Sequence, residues 1–141
     1  MKLLYTAFAL TIAGNVLYHL SQKSISAGAH PIVSIVASYL TAIALSLLVL
    51  PFVPLRGSFN AELARLNWAS IGVGAAIVAV ELGFLLAYRA GGRVSLAAVT
   101  SNTAVGLLLI PAGVLLFHER LTPTHIAGVV FCVIGLALVT R

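Results

Sequence analysis

Few side chains in this sequence can carry acid–base or ion chemistry, and Glu81 has the most informative position among them. The chain has three acidic residues, all glutamates, and Glu81 is the one inside a long apolar stretch. A carboxylate at membrane depth costs several kcal/mol unless it is protonated, paired or facing water. A group that alternates between a charged and a neutral form suits proton coupling or cation binding. We therefore expect Glu81 to bind a proton and substrate in turn.

A structural role for Glu81 is the alternative. The carboxyl group could be protonated and hydrogen-bonded between helices, or close enough to Arg89 for its charge to reach the membrane surface. Tyr88 lies seven residues after Glu81 and Gly74 seven residues before it, so one face of a helix carries all three. This shared face favours Tyr88 as a second residue of the binding site.

A second polar stripe lies near the N-terminus, where Thr11, Asn15, Tyr18 and Gln22 recur at spacings of four, three and four residues. This spacing places them on one face of a helix. Either the stripe forms a wall of a substrate cavity, or it makes hydrogen bonds between helices, worth about 0.6 kcal/mol each. The functional interpretation predicts that Asn15 and Tyr18 line the cavity.

Asn102 is the candidate from a third polar segment. It shares a helical face with Ser95, Gly106 and Gly113, and Pro111 is expected to bend this helix. A helix that lines a cavity and contains a hinge has this pattern, but close packing between helices would produce the same one.

The sequence gives no indication of soluble-enzyme chemistry. It has no aspartate, no phosphate-binding loop, no HExxH motif and no nucleophile elbow around its serines. A single cysteine, Cys132, excludes an intramolecular disulfide, and the histidines lack metal-ligand spacing. The basic residues are scattered singly, without the patch that nucleic-acid binding requires. We expect no enzymatic activity, no cofactor, no metal and no nucleic-acid partner.

The elements that must position these residues are membrane-spanning helices. The chain is 61% hydrophobic and 8% charged, with a mean hydropathy of +1.13, whereas soluble domains carry roughly 25% charged residues. Spanning helices need roughly 20 mostly apolar residues. The sequence therefore predicts an all-α fold, a polytopic membrane helix bundle of about five transmembrane helices in one domain over 1–141. The predicted helices cover residues 3–22, 31–55, 66–88, 94–117 and 121–140.

The connections between the predicted spans are short. Pro31 suits the first turn of the second span, and Pro51 and Pro54 close or kink its end. The polar stretch 56–67 contains apolar residues at helical spacing, which predicts a short surface helix before an interfacial Trp68.

Charge placement does not fix the orientation of the chain in the membrane. With five spans, one side carries Lys2, Arg56, Arg65 and Arg120, and the other carries Lys23, Arg89, Arg93 and Arg141. Orientation normally follows an excess of Lys and Arg on the cytoplasmic side. Either the position of individual charges gives a single orientation, or the chain inserts both ways. Dual insertion would allow an antiparallel homodimer, equivalent to the inverted repeats of many transporters.

The second half of the chain, roughly 69–139, resembles an EamA-type domain of the drug/metabolite transporter superfamily. The resemblance is carried by the Ala-Tyr-Arg-Ala sequence of 87–90, the Val-Ser-Leu-Ala sequence of 94–97, the His-Glu-Arg-Leu-Thr turn of 118–122, and Gly128 and Gly135. Most members of this family have two five-helix domains in opposite orientations. Glu81 is also similar to the intramembrane glutamate of small multidrug-resistance transporters, although theirs lies on the first helix.

The resemblance implies a small secondary transporter, an exporter of metabolites or cationic drug-like compounds that is proton-coupled through Glu81. It also implies a small-molecule substrate, a bacterial inner membrane, and either an antiparallel homodimer or an oppositely oriented paralogous partner. Two other functions stay open: a lipid-carrier flippase subunit, since some half-size relatives move polyprenyl-linked sugars, and a membrane scaffold subunit that does not transport.

Overall fold

A computed structural model describes residues 2–140, and within that range the chain is helical with no strand. The all-α prediction is confirmed. Met1 and Arg141, the latter among the charges counted above, lie outside the described residues. The α-helices are α1 (Lys2–Ser24), α2 (Pro31–Val49), α3 (Phe59–Leu63), α4 (Trp68–Arg89), α5 (Val94–Phe117) and α6 (Pro123–Val139), and a 3-10 turn (Leu50–Phe52) follows α2.

Four segments are long and apolar enough to cross a membrane: α1, Pro31–Phe52, α4 and α5. The 17 residues of α6 are at the lower end of the roughly 17 to 25 residues that a spanning helix uses. Among residues 2–140, the buried hydrophobic side chains are Ile35, Leu85 and Tyr88, and dozens of large apolar side chains are exposed. Such a surface is stable in lipid and not in water. The chain is therefore a multi-pass membrane protein.

Proline chemistry sets both ends of α2. Pro31 occupies the first turn, where a missing backbone N–H has no cost. The α-helix ends at Val49, earlier than the predicted residue 55, and a single 3-10 turn around Pro51 follows. Val53, the residue before Pro54, is extended with φ −112° and ψ 111°. This is the conformation that a following proline imposes, which explains why the helix does not continue.

The polar stretch 56–67 forms the short surface helix that its apolar spacing predicts. The Ser58 side chain caps α3 by accepting a hydrogen bond from the Ala61 N–H. Asn67 caps α4 in the same way by accepting from the Ala69 N–H. These side chains satisfy backbone donors that a helix start leaves without partners.

The turn between α5 and α6 relies on His118 in the left-handed region, with φ 54° and ψ 33°. The N–H groups of His118 and Glu119 both bond the Gly113 carbonyl, as in a C-terminal helix cap. A β-carbon at Gly113 would lie 2.5 Å from Oε2 of Glu119. The glycine thus leaves room for Glu119 to fold back over the last helical turn. The helix α6 then starts after Thr122, which accepts from the His125 N–H.

The contacts divide the chain into two compact units. One contains the residues up to Leu20 together with those from Gly91 onward, and it includes the α5–α6 hairpin. The other is Ser21–Ala90 and includes α2 and α4. The assignment of one domain to the whole chain stays a prediction.

In the second unit, Arg89 joins the end of α4 to the loop before α2. Its Nη2 donates to the carbonyl oxygens of Ser26 and Ala29, at 3.3 and 2.6 Å. The end of α4 therefore lies beside the start of α2, and the two contacting helices run antiparallel. Ile35 and Leu85, each four residues from these ends, are both buried.

Replacing Arg89 with lysine is expected to destabilise this unit. Lysine keeps the charge but lacks the planar fork with which Arg89 bonds two carbonyl groups. Loss of one charge-assisted bond corresponds to about 1.5–3 kcal/mol, which thermal unfolding in detergent would detect as a lower Tm. The control is Arg93→Lys, an exposed arginine, which should leave Tm unchanged. Equal Tm values for wild type and Arg89→Lys would contradict this role.

Candidate functional site

The candidate site is centred on Glu81 in the second unit, at membrane depth. Glu81 lies eight residues before Arg89 at the end of α4, about 12 Å along the axis at 1.5 Å per residue. The hydrocarbon core of a bilayer is about 30 Å thick. If Arg89 is at the membrane surface, Glu81 is close to the midplane, where an acidic group needs a functional or structural explanation.

The Glu81 carboxyl group lacks the partners that a purely structural role requires. Its Oε2 atom is buried and has no hydrogen-bond partner within the described part of the chain. Glu81 and Arg89, both described residues, form no ion pair, because the Arg89 guanidinium donates to the loop carbonyls instead. Buried polar groups in proteins are normally satisfied. The exception at Glu81 suits a group that awaits a ligand.

Tyr39 on α2, a helix that contacts α4, lies close to Glu81 and was missed by the sequence analysis. The Tyr39 hydroxyl lies within electrostatic range of the Glu81 carboxyl group, and it is also buried and without a hydrogen-bond partner in residues 2–140. Tyr39 lies eight residues after Pro31, again about 12 Å along its helix. Because α2 and α4 run antiparallel from the same end, the two side chains lie at a similar depth.

Tyr88 lies on the same face of α4 as Glu81, and its observed ring contacts are with other residues. Seven residues separate Tyr88 from Glu81, about 10 Å along the helix. The Tyr88 ring stacks on Phe84 with centroids 5.9 Å apart, and Lys23 Nζ lies 5.7 Å from the ring centroid. Tyr88 is therefore part of the packing at the end of α4, about two helical turns from the level of Glu81 and Tyr39.

Asn15, Tyr18 and Asn102 belong to the first unit. Asn15 is exposed and Tyr18 is half-buried, with its ring in an edge contact with His19 at 5.2 Å. Asn102 is exposed and lines an open groove of about 550 Å³ between α5 and α6, together with Thr103, His125 and Cys132. Gln22, the last residue of the predicted N-terminal stripe, is buried in the second unit.

Chemically, the Glu81–Tyr39 pair combines an acid with a hydroxyl that can donate or accept a hydrogen bond. Such a pair can hold a proton or a cation, but it contains no nucleophile activated by a base. Within residues 2–140, no group of three or more His, Cys, Asp or Glu side chains could hold a metal ion.

No family model, curated protein or solved structure matches this chain. The resemblance to an EamA-type domain thus remains a prediction from the quoted residues.

Proposed function

We propose that this chain is a small secondary transporter that exports small metabolites or cationic drug-like compounds in exchange for protons. The observation that carries the proposal is the half-buried Glu81 inside a membrane-spanning helix, whose buried Oε2 atom has no hydrogen-bond partner in the described residues. A carboxyl group that binds either a proton or a cation couples the two movements, since both compete for the same charge. The membrane-spanning character of the helices supports transport over chemistry in water.

The proposal includes an EamA-like architecture and a bacterial inner-membrane location. A single five-helix chain would pair with an oppositely oriented copy of itself, or with a paralogous partner, to complete an inverted repeat. The four-against-four distribution of Lys and Arg supports the antiparallel homodimer. Asn15, Tyr18, Tyr88 and Asn102 stay predicted substrate-binding residues from the sequence.

Reconstitution into liposomes with an acidic lumen tests this function. Ethidium serves as a poorly permeant cationic probe, and valinomycin with equal potassium on both sides holds the membrane potential at zero. We expect ethidium uptake that depends on the protein and is lost when a protonophore collapses the pH gradient. Uptake equal to that of protein-free liposomes would contradict proton-coupled transport of cationic compounds.

Tyr39→Phe is expected to reduce this transport without loss of stability. A buried hydroxyl without a partner costs about 1–3 kcal/mol, so its removal should leave the Tm in detergent unchanged or higher. Transport should fall because Glu81 loses the nearby hydroxyl group of Tyr39. Tyr5→Phe, at an exposed tyrosine of α1, is the matched control and should retain full uptake. Full uptake by Tyr39→Phe would remove Tyr39 from the mechanism.

A further inference from the structure

A polar cavity lies apart from Glu81, where α1 and α4 end in the second unit. It has a volume of about 220 Å³, and its polar lining comes from Gln22, Lys23, Tyr88 and Arg89. A water molecule occupies roughly 30 Å³ in the liquid, so the cavity has room for a phosphate group.

The charge of this cavity is positive. Lys23 and Arg89 both line it, and each occupies the last turn of its helix. The sequence has no acidic residue before Glu62 and none between Glu81 and Glu119. Among the described residues that line the cavity there is accordingly no acidic side chain. The Lys23 ammonium donates to the Tyr88 carbonyl at 3.3 Å, which holds it at the cavity wall.

Arg89 also has a buried donor atom that makes no hydrogen bond to the described residues. Its Nη2 donates hydrogen bonds to the two loop carbonyls, but its Nε is buried and has no hydrogen-bond partner in the described residues. An unsatisfied donor on a charged group carries a substantial desolvation cost. Oxygen atoms of an anion would satisfy this donor, and arginine matches the geometry of phosphate oxygens well.

We propose that this cavity binds a phosphate group, held by Lys23 and Arg89 with the Gln22 amide beside them. Because it lies where two spanning helices end, lipid headgroups can reach it as well as free phosphate, and the binding chemistry is the same for both. This site is independent of the transport mechanism proposed for Glu81.

Native mass spectrometry of the full chain in a neutral detergent tests the site, with phosphatidylglycerol and inorganic phosphate as separate probes. We expect Lys23→Gln to weaken binding at least about fivefold, because it removes a charge-assisted hydrogen bond. Lys23→Arg keeps the charge and should restore binding. The matched control Arg93→Gln removes an exposed arginine that does not line the cavity, and its effect should be less than about twofold.

Each outcome has a definite meaning. Binding of phosphatidylglycerol that inorganic phosphate does not displace supports a lipid headgroup site, and binding of inorganic phosphate alone supports a site for free phosphate. The proposal is overturned if neither probe binds the wild-type chain. It is also overturned if Arg93→Gln weakens binding as much as Lys23→Gln, since attraction would then reflect overall charge.

Discussion

Replacing Glu81 with glutamine is expected to reduce proton-driven ethidium uptake to the level of protein-free liposomes. Glutamine has nearly the shape of glutamate but can neither release a proton nor carry a charge. Without a group that exchanges a proton for the substrate, the pH gradient cannot drive ethidium across the membrane. The chain should still insert and fold, because Oε2 of Glu81 makes no hydrogen bond in the described structure.

The other two glutamates provide matched controls. Glu62 lies on the surface helix α3, where it pairs with Arg65 at 2.7 Å. Glu119 lies in the exposed turn after α5. Glu62→Gln and Glu119→Gln make the same chemical change outside the long spans, and both should retain uptake. Full activity in Glu81→Gln, with folding verified by circular dichroism, would refute coupling through Glu81.

A reporter fused after the C-terminus is expected to give signal on both sides of the membrane. The two sides of the predicted topology carry equal numbers of Lys and Arg, so the positive-inside rule favours neither orientation. Paired fusions, one active in the cytoplasm and the other outside it, would measure this distribution. Signal from one reporter alone would exclude the antiparallel homodimer and direct the search to an oppositely oriented partner chain.

Two added lysines provide the control for this experiment. Asn60→Lys and Ala64→Lys place both charges on the exposed surface of the α3 segment, which leaves the spanning helices unchanged. The resulting excess of Lys and Arg on one side should move most chains into one orientation, with the α3 segment in the cytoplasm. If the two added lysines do not change the ratio of the two reporter signals, features other than Lys and Arg set the orientation.

The fold class can be predicted from the sequence because lipid, the solvent of this chain, allows few kinds of structure. Long apolar runs separated by prolines and short polar turns are compatible with spanning helices. The end of α2 was harder to predict. Apolar residues continue beyond Val49, but Pro51 and Pro54 act on the backbone. The apolar residues favour a longer helix and the prolines favour its end, and composition alone does not show which of the two prevails.

The centre of the site was predictable, but its surroundings were not. Glu81 stands out because an acid is rare in an apolar span. Tyr39 carries no such signal, since a tyrosine in a span is ordinary and its facing residue depends on how α2 and α4 pack. A clue was available: Tyr39 lies eight residues after the start of α2 and Glu81 eight residues before the end of α4, so antiparallel spans place them at a similar depth. The Arg89 bonds to Ser26 and Ala29 join residues about 60 positions apart, a pairing that spacing along one helix cannot reveal.

The central claim is that Glu81 exchanges a proton for a cationic substrate, and proton release on binding tests it most directly. Purified protein in weakly buffered detergent solution is titrated with ethidium while a pH indicator records released protons. We predict release that saturates together with ethidium binding in the wild type, and none in Glu81→Gln. Ethidium binding without proton release, or equal release by Glu81→Gln, would contradict the claim.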